Sequence, residues 1–183
     1  MRRRILIAAA ALAISAASQA TPRVTRTAVA PVERSFDERI SRYSVDDPIY
    51  VLGASRGVYL EGFGLVLSTE VDLLPATNLT PFRPEYTKEE KARIRLKKLD
   101  RVGKLKELMG SMLVDAAAML DTVPDNEQIA VSVTLLHKRW EDTAGLPGQI
   151  VMQGQRSSLV KYKSANGQTK LDTLAAIMKV QEY

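Results

Sequence analysis

Few residues in this sequence can do acid–base or nucleophilic chemistry. Histidine occurs once, at His137, and cysteine does not occur at all. That removes disulfides, thiol nucleophiles, iron–sulfur clusters and the usual zinc sites, so no metal or cofactor is expected. His137 ends an apolar-alternating stretch and precedes Lys138 and Arg139, with Glu141 and Asp142 close behind. A histidine–carboxylate pair can serve as a general base. His137 with Asp142 or Glu70 is therefore the catalytic candidate, in the manner of a small metal-independent hydrolase. The structural alternative is a histidine that only packs at the end of a strand.

The other constellations are weaker. Glu70 and Asp72 share one face of a strand, about 7 Å apart, a spacing that suits acid–base work, a calcium site or a solvated sheet face. Ser158-Leu-Val-Lys161 matches the S-x-x-K pattern of penicillin-binding enzymes, and Ser164-Ala-Asn166 imitates their second motif. The two lie too close together, no K-T-G follows, and the chain is short for that fold. Gly53, Gly57, Gly62 and Gly64 form neither a P-loop nor a dinucleotide fingerprint, and imply backbone geometry instead. Asp121, Asp125, Asn126 and Glu127 lack the loop of a calcium-binding hand.

The sharpest charge feature is basic. Residues 88–106 hold nine lysines and arginines against three acidic residues. Lys91, Arg95, Lys98 and Arg101 are the candidate contacts to an anionic partner. No aromatic residues interleave them for base stacking. Anionic lipid headgroups, envelope polysaccharide phosphates or an acidic partner protein are the expected targets rather than nucleic acid; the alternative is a solvated helix face.

The elements that would position these residues follow from periodicity. Residues 21–48 are polar and proline-bearing and read as a flexible leader, with one short helix near Glu33 to Tyr43. Val58 to Leu74 alternates, with Phe63, Leu65, Leu67, Val71 and Leu73 on one parity, which predicts a half-buried strand. Gly62 and Gly64 suggest a bulge or close backbone approach within it. A short strand precedes it at Ile49 to Ala54, with a turn at Arg56-Gly57. Pro75 to Tyr86 reads as a loop and carries the pattern Asn78-Leu-Thr80.

Thr87 and Glu90 have the spacing of a capping box. A helix then runs to about residue 121, its apolar stripe being Val102, Leu105, Met109, Met112, Leu113, Ala116 and Leu120. At about 50 Å it would exceed a domain roughly 40 Å across, so it must overhang or break near Gly103 or Gly110. Continued backwards, the stripe meets Lys98, Arg95 and Lys91, which predicts an N-terminal part standing in solvent. Gln128 to Leu136 alternates as a second strand. Gln149 to Met152 is a short strand, and Ser157 to Tyr162 fits strand or helix. Asn166-Gly167 marks a turn. Leu171 to Val180 has helical spacing, although Ile177 to Tyr183 could pair as an edge strand. The expectation is an α+β domain over 49–183: a mainly antiparallel sheet of about four strands, one long helix and a short C-terminal helix.

Residues 1–20 read as a cleaved signal peptide. Arg2 to Arg4 precede a 13-residue apolar run and a small-residue Ser18-Gln-Ala20 site, and the run is short for a membrane span. The whole chain carries 26 basic and 21 acidic residues, a net of +5. Removing the three arginines of residues 1–20 leaves +2. No later segment approaches spanning length, so the expected product is exported, periplasmic or secreted.

Two stretches, Gly57-Val-Tyr-Leu-Glu-Gly-Phe-Gly-Leu-Val-Leu-Ser-Thr-Glu-Val71 and Trp140-Glu-Asp-Thr-Ala-Gly-Leu-Pro147 with Gln149 to Met152 behind it, resemble a group of secreted bacterial proteins of unknown function. The resemblance implies a bacterial envelope setting and carries no activity or catalytic residues. The leading expectation is a non-catalytic exported domain that binds an envelope component or partner protein through a sheet face, helped by the basic helix.

Overall fold

The computed structural model describes residues 24–43, 48–75, 85–165 and 174–183. The signal-peptide reading, the Asn78 pattern and the Asn166-Gly167 turn lie outside them.

The fold is α+β. Alternation of apolar residues builds β3 (Gly64–Asp72) and β4 (Gln128–Leu135). Leu65, Leu67 and Val71, with Ile129, Val131, Val133 and Leu135, form the buried parity. The sheet is mixed and six-stranded, not the four-stranded antiparallel one expected. Its order is β1 (Tyr50–Val51), β3, β4, β5 (Gln149–Gln155) and β6 (Met178–Glu182). β2 (Arg56–Leu60) shares β3's free side with β1. The pair β3–β4 is parallel, and every other pair is antiparallel.

The cause of the parallel pair is the connection. α2 (Lys88–Met119) is one uninterrupted 32-residue helix, about 48 Å long. It carries the chain back to the end where β3 began, as a crossover must. It starts at the capping box of Thr87 and Glu90 and does not break at Gly103 or Gly110.

The expected 58–74 strand is a hairpin, with residues 61–63 as its turn. Arg56-Gly57 lies inside β2 instead of forming a turn. Gly64 has φ +128°, and a Cβ there would fall 1.9 Å from the Gln128 carbonyl oxygen. Only glycine lets β4 start this close.

The segment read as a flexible leader carries α1 (Arg26–Ser41), begun by the Thr25 N-cap. Val29, Val32, Phe36 and Ile40 join the same core as the sheet and α2. Burying four such side chains is worth roughly 6–12 kcal/mol as an upper bound, set against an extended unfolded chain. α3 (Arg156–Ala165) resolves the strand-or-helix ambiguity at Ser157 to Tyr162. Of the expected C-terminal helix over 171–180, residues 178–180 are strand, paired to β5.

All three helices cover one face of the sheet. Val29 of α1 and Leu159 of α3 pack against the inner side of Gly57 and Gly154, and α2 supplies the centre of the core. Among the described residues no helix is long and apolar enough to cross a membrane.

Candidate functional site

The basic stretch of α2 is partly engaged within the molecule: the segment 136–148 between β4 and β5 answers the charges of Lys98 and Arg95, while Lys88, Arg93 and Lys97 stay exposed. Lys98, with its side chain 1% exposed, donates from Nζ to Glu141 Oε2 at 2.5 Å, and Glu141 is equally buried. The same ammonium lies 3.4 Å from the Leu136 carbonyl oxygen. Arg95 pairs with Asp142 at 3.3 Å and donates from Nη1 to the Ala144 carbonyl at 3.1 Å. Tyr86, just before the helix, stacks on Trp140 with ring centroids 4.4 Å apart. Arg101 is buried, and burial lowers its pKa, partly offset by interaction with Tyr43. Of the four expected anion contacts, Lys98 and Arg101 are therefore interior, Arg95 is engaged by the loop, and Lys91 is half-exposed with no such contact among the described residues.

The catalytic candidates do not converge. His137 Nε2 lies 2.9 Å from the Pro147 carbonyl oxygen, which requires the proton on that nitrogen. Its Nδ1 is 3.7 Å from Glu141 Oε2. Its carboxylate neighbour is thus Glu141, already held by Lys98, while Asp142 turns to Arg95 and to the Ala144 N–H. Glu70 is exposed on the outer face of β3, opposite Thr134, and no hydrogen bond or ion pair joins it to His137. Asp72 is buried, accepting from Lys138 at 3.0 Å and from the Leu74 N–H. Glu61 sits exposed in the hairpin turn. A general base needs a ring nitrogen directed at substrate; here both nitrogens face the chain itself. Among the described residues no group of three or more acidic or histidine side chains could hold a metal.

Three carboxylates fasten the sheet's edge, and the sequence singled out neither Glu33 nor Asp37 among them. Glu33 is buried on α1, pairs with Arg26 and accepts from the Gly57 N–H at 2.6 Å. Burial pushes its carboxyl up, but Arg26, the Gly57 N–H and the charge of Arg56 more than offset this, so it ionises below its ordinary value. One turn on, Asp37 accepts from the Ser55 N–H and hydroxyl. At the hairpin's far end Glu127 accepts from the Tyr59 hydroxyl and the Gly62 N–H. Burial and this contact with Glu127 raise the Tyr59 pKa and keep its hydroxyl a donor. A buried stripe at 29, 32, 36 and 40 was the available signal for α1, and hence for Glu33.

The sheet's outer face lies opposite the helices; its centre is closed, with Ala130 3% and Ser132 8% exposed, and Ser68, Glu70, Thr134 and Gln155 are exposed around it. Strand register lays its side chains in rows: Arg56, Ser68, Ser132, Val151 and Gln181; Val58, Val66, Ala130, Gln153 and Lys179; Glu70, Thr134 and Gln149. Gln149 donates to the Ser132 hydroxyl at 2.8 Å. At the end near α3, Gln128, Gln153, Gln155, Ser158 and Lys179 line an open cleft of about 420 Å³. The face is thus rich in amides and hydroxyls, with charge mainly at Arg56, Glu70 and Lys179. Comparison with protein-family models, with curated proteins and with solved structures finds no match to this chain.

Proposed function

We propose that this chain is an exported, non-catalytic binding domain that presents the outer face of its sheet to a hydroxyl-rich envelope polysaccharide. The observation that carries the reading is the one-sided packing. Three helices lie on one face, and the opposite face keeps a register-ordered array of Gln149, Gln153, Gln155, Ser68 and Thr134. Neutral donor–acceptor groups at strand spacing suit repeated hydroxyls, whereas a polyanion would call for exposed cations. Of the cations expected to meet a polyanion, Lys98 and Arg101 are buried and Arg95 is paired with Asp142. The export pattern at residues 1–20 supports an envelope partner.

The experiment is co-sedimentation of the purified protein with insoluble bacterial cell-wall polysaccharide. Thr134→Arg with Gln153→Arg places bulk and charge on the face without touching the core. Binding should fall at least tenfold. Undiminished binding would remove the sheet face from the account.

A further inference from the structure

Among the described residues β2 pairs with β3 alone, and its other side has the geometry to pair with a strand. The Gly57 N–H is turned away from β3, since it donates to Glu33 Oε1. Backbone groups alternate along a strand, so the N–H and C=O of Tyr59 point outward as well. Apolar side chains flank them, with Val58 55% and Leu60 49% exposed. Tyr50, Leu52 and Phe63 add exposed apolar surface on neighbouring β1, its flank and the hairpin turn. Edge strands are normally blunted by charge, proline or a covering element. Here Glu33 blunts only the Gly57 end.

We propose that β2 is a self-pairing edge, at which two copies of this chain join their sheets antiparallel across a two-fold axis at Tyr59. The strand is complementary to itself in that register. Each Tyr59 exchanges both backbone hydrogen bonds with its symmetry mate. Val58 meets the partner's Leu60 in a non-hydrogen-bonded pair, the closer kind. Exposed Arg56 and exposed Glu61 mark opposite ends of the strand, so antiparallel pairing brings each Arg56 to the partner's Glu61 end. A register centred on Val58 would need the Gly57 N–H, which Glu33 already occupies. Glu33 thus selects the register and limits its length. The dimer is accordingly weak, and two open outer faces become one continuous platform. The proposal does not depend on the polysaccharide reading.

The test is sedimentation velocity of the full chain from micromolar to millimolar concentration. The mass should rise from one copy toward two, and Val58→Arg with Leu60→Arg, which sets arginine against arginine, should hold it at one copy. The native chain has no cysteine, so cross-linking tests the register cleanly. Val58→Cys with Leu60→Cys should form intermolecular disulfides on mild oxidation, and Val58→Cys alone should form several-fold fewer. A single-copy mass throughout, a rise unaffected by the arginines, or equal cross-linking by the single cysteine variant would each overturn the proposal.

Discussion

Replacing Glu141 with alanine removes the only carboxylate paired with the Lys98 ammonium among the described residues. Both side chains are 1% exposed, and the remaining partner of Nζ is the Leu136 carbonyl at 3.4 Å. A buried charge stripped of its counter-ion typically costs about 3–5 kcal/mol. That is a large share of the 5–15 kcal/mol that usually holds a domain together. For a chain of this length each kcal/mol lowers Tm by about 2–4 °C, so a fall of roughly 6–20 °C is expected. Trp140, the only tryptophan, adjoins Glu141 and stacks on Tyr86, so urea unfolding followed by its fluorescence reads the strap directly. The paired replacement Lys98→Met with Glu141→Leu removes both charges and should recover to within about 1 kcal/mol of the native chain. If Glu141→Ala alone costs under about 1 kcal/mol, the buried pair does not hold the loop and the internal neutralisation of α2 is wrong.

Three further outcomes follow from the geometry. A Cβ on Gly57 would stand 2.4 Å from Val29 Cγ1, so Gly57→Ala should cost about 1–3 kcal/mol by overpacking; adding Val29→Ala should cost less than the sum of the two, a coupling that a double-mutant cycle measures. Glu33 ionises below its ordinary value in the folded chain, so its contribution is present above the ordinary carboxylate range and is lost as pH falls through the folded value. The Tm gap between native protein and Glu33→Gln should therefore be open at neutral pH and close in acid; a gap that widens in acid would reverse the sign. His137→Phe should cost about 1 kcal/mol for the lost bond to Pro147 and leave polysaccharide co-sedimentation unchanged.

The strands were legible because burial is one-sided. Leu65, Leu67 and Val71, and Ile129 to Leu135, alternate in sequence as they do in the sheet. The capping box at Thr87 and Glu90 and the stripe from Val102 to Leu120 were legible for the same reason, since each is local. The parallel pairing was not, because it depends on where a 32-residue helix returns the chain. α1 was hidden by its arginines and Pro31, although 29, 32, 36 and 40 keep helical spacing. Lys98 shows the limit most sharply. Its place on the core-facing side of α2 was readable, but its counter-charge lies 43 residues away in sequence. Without that partner, a lysine on the buried stripe reads as the point where a helix leaves the core. The surroundings of His137 were hidden by the same logic: its neighbour in space is Glu141, committed to Lys98, and its other nitrogen meets the Pro147 carbonyl.

The decisive measurement sets the two faces of the molecule against each other in one co-sedimentation series with cell-wall polysaccharide. Thr134→Arg with Gln153→Arg alters the open sheet, and Arg93→Glu with Lys97→Glu reverses charge on the exposed side of α2. The sheet variant should lose binding at least tenfold while the helix variant binds as the native protein does. Loss in the helix variant with retention in the sheet variant would return the basic helix to the centre of the account and contradict the outer face as the binding surface.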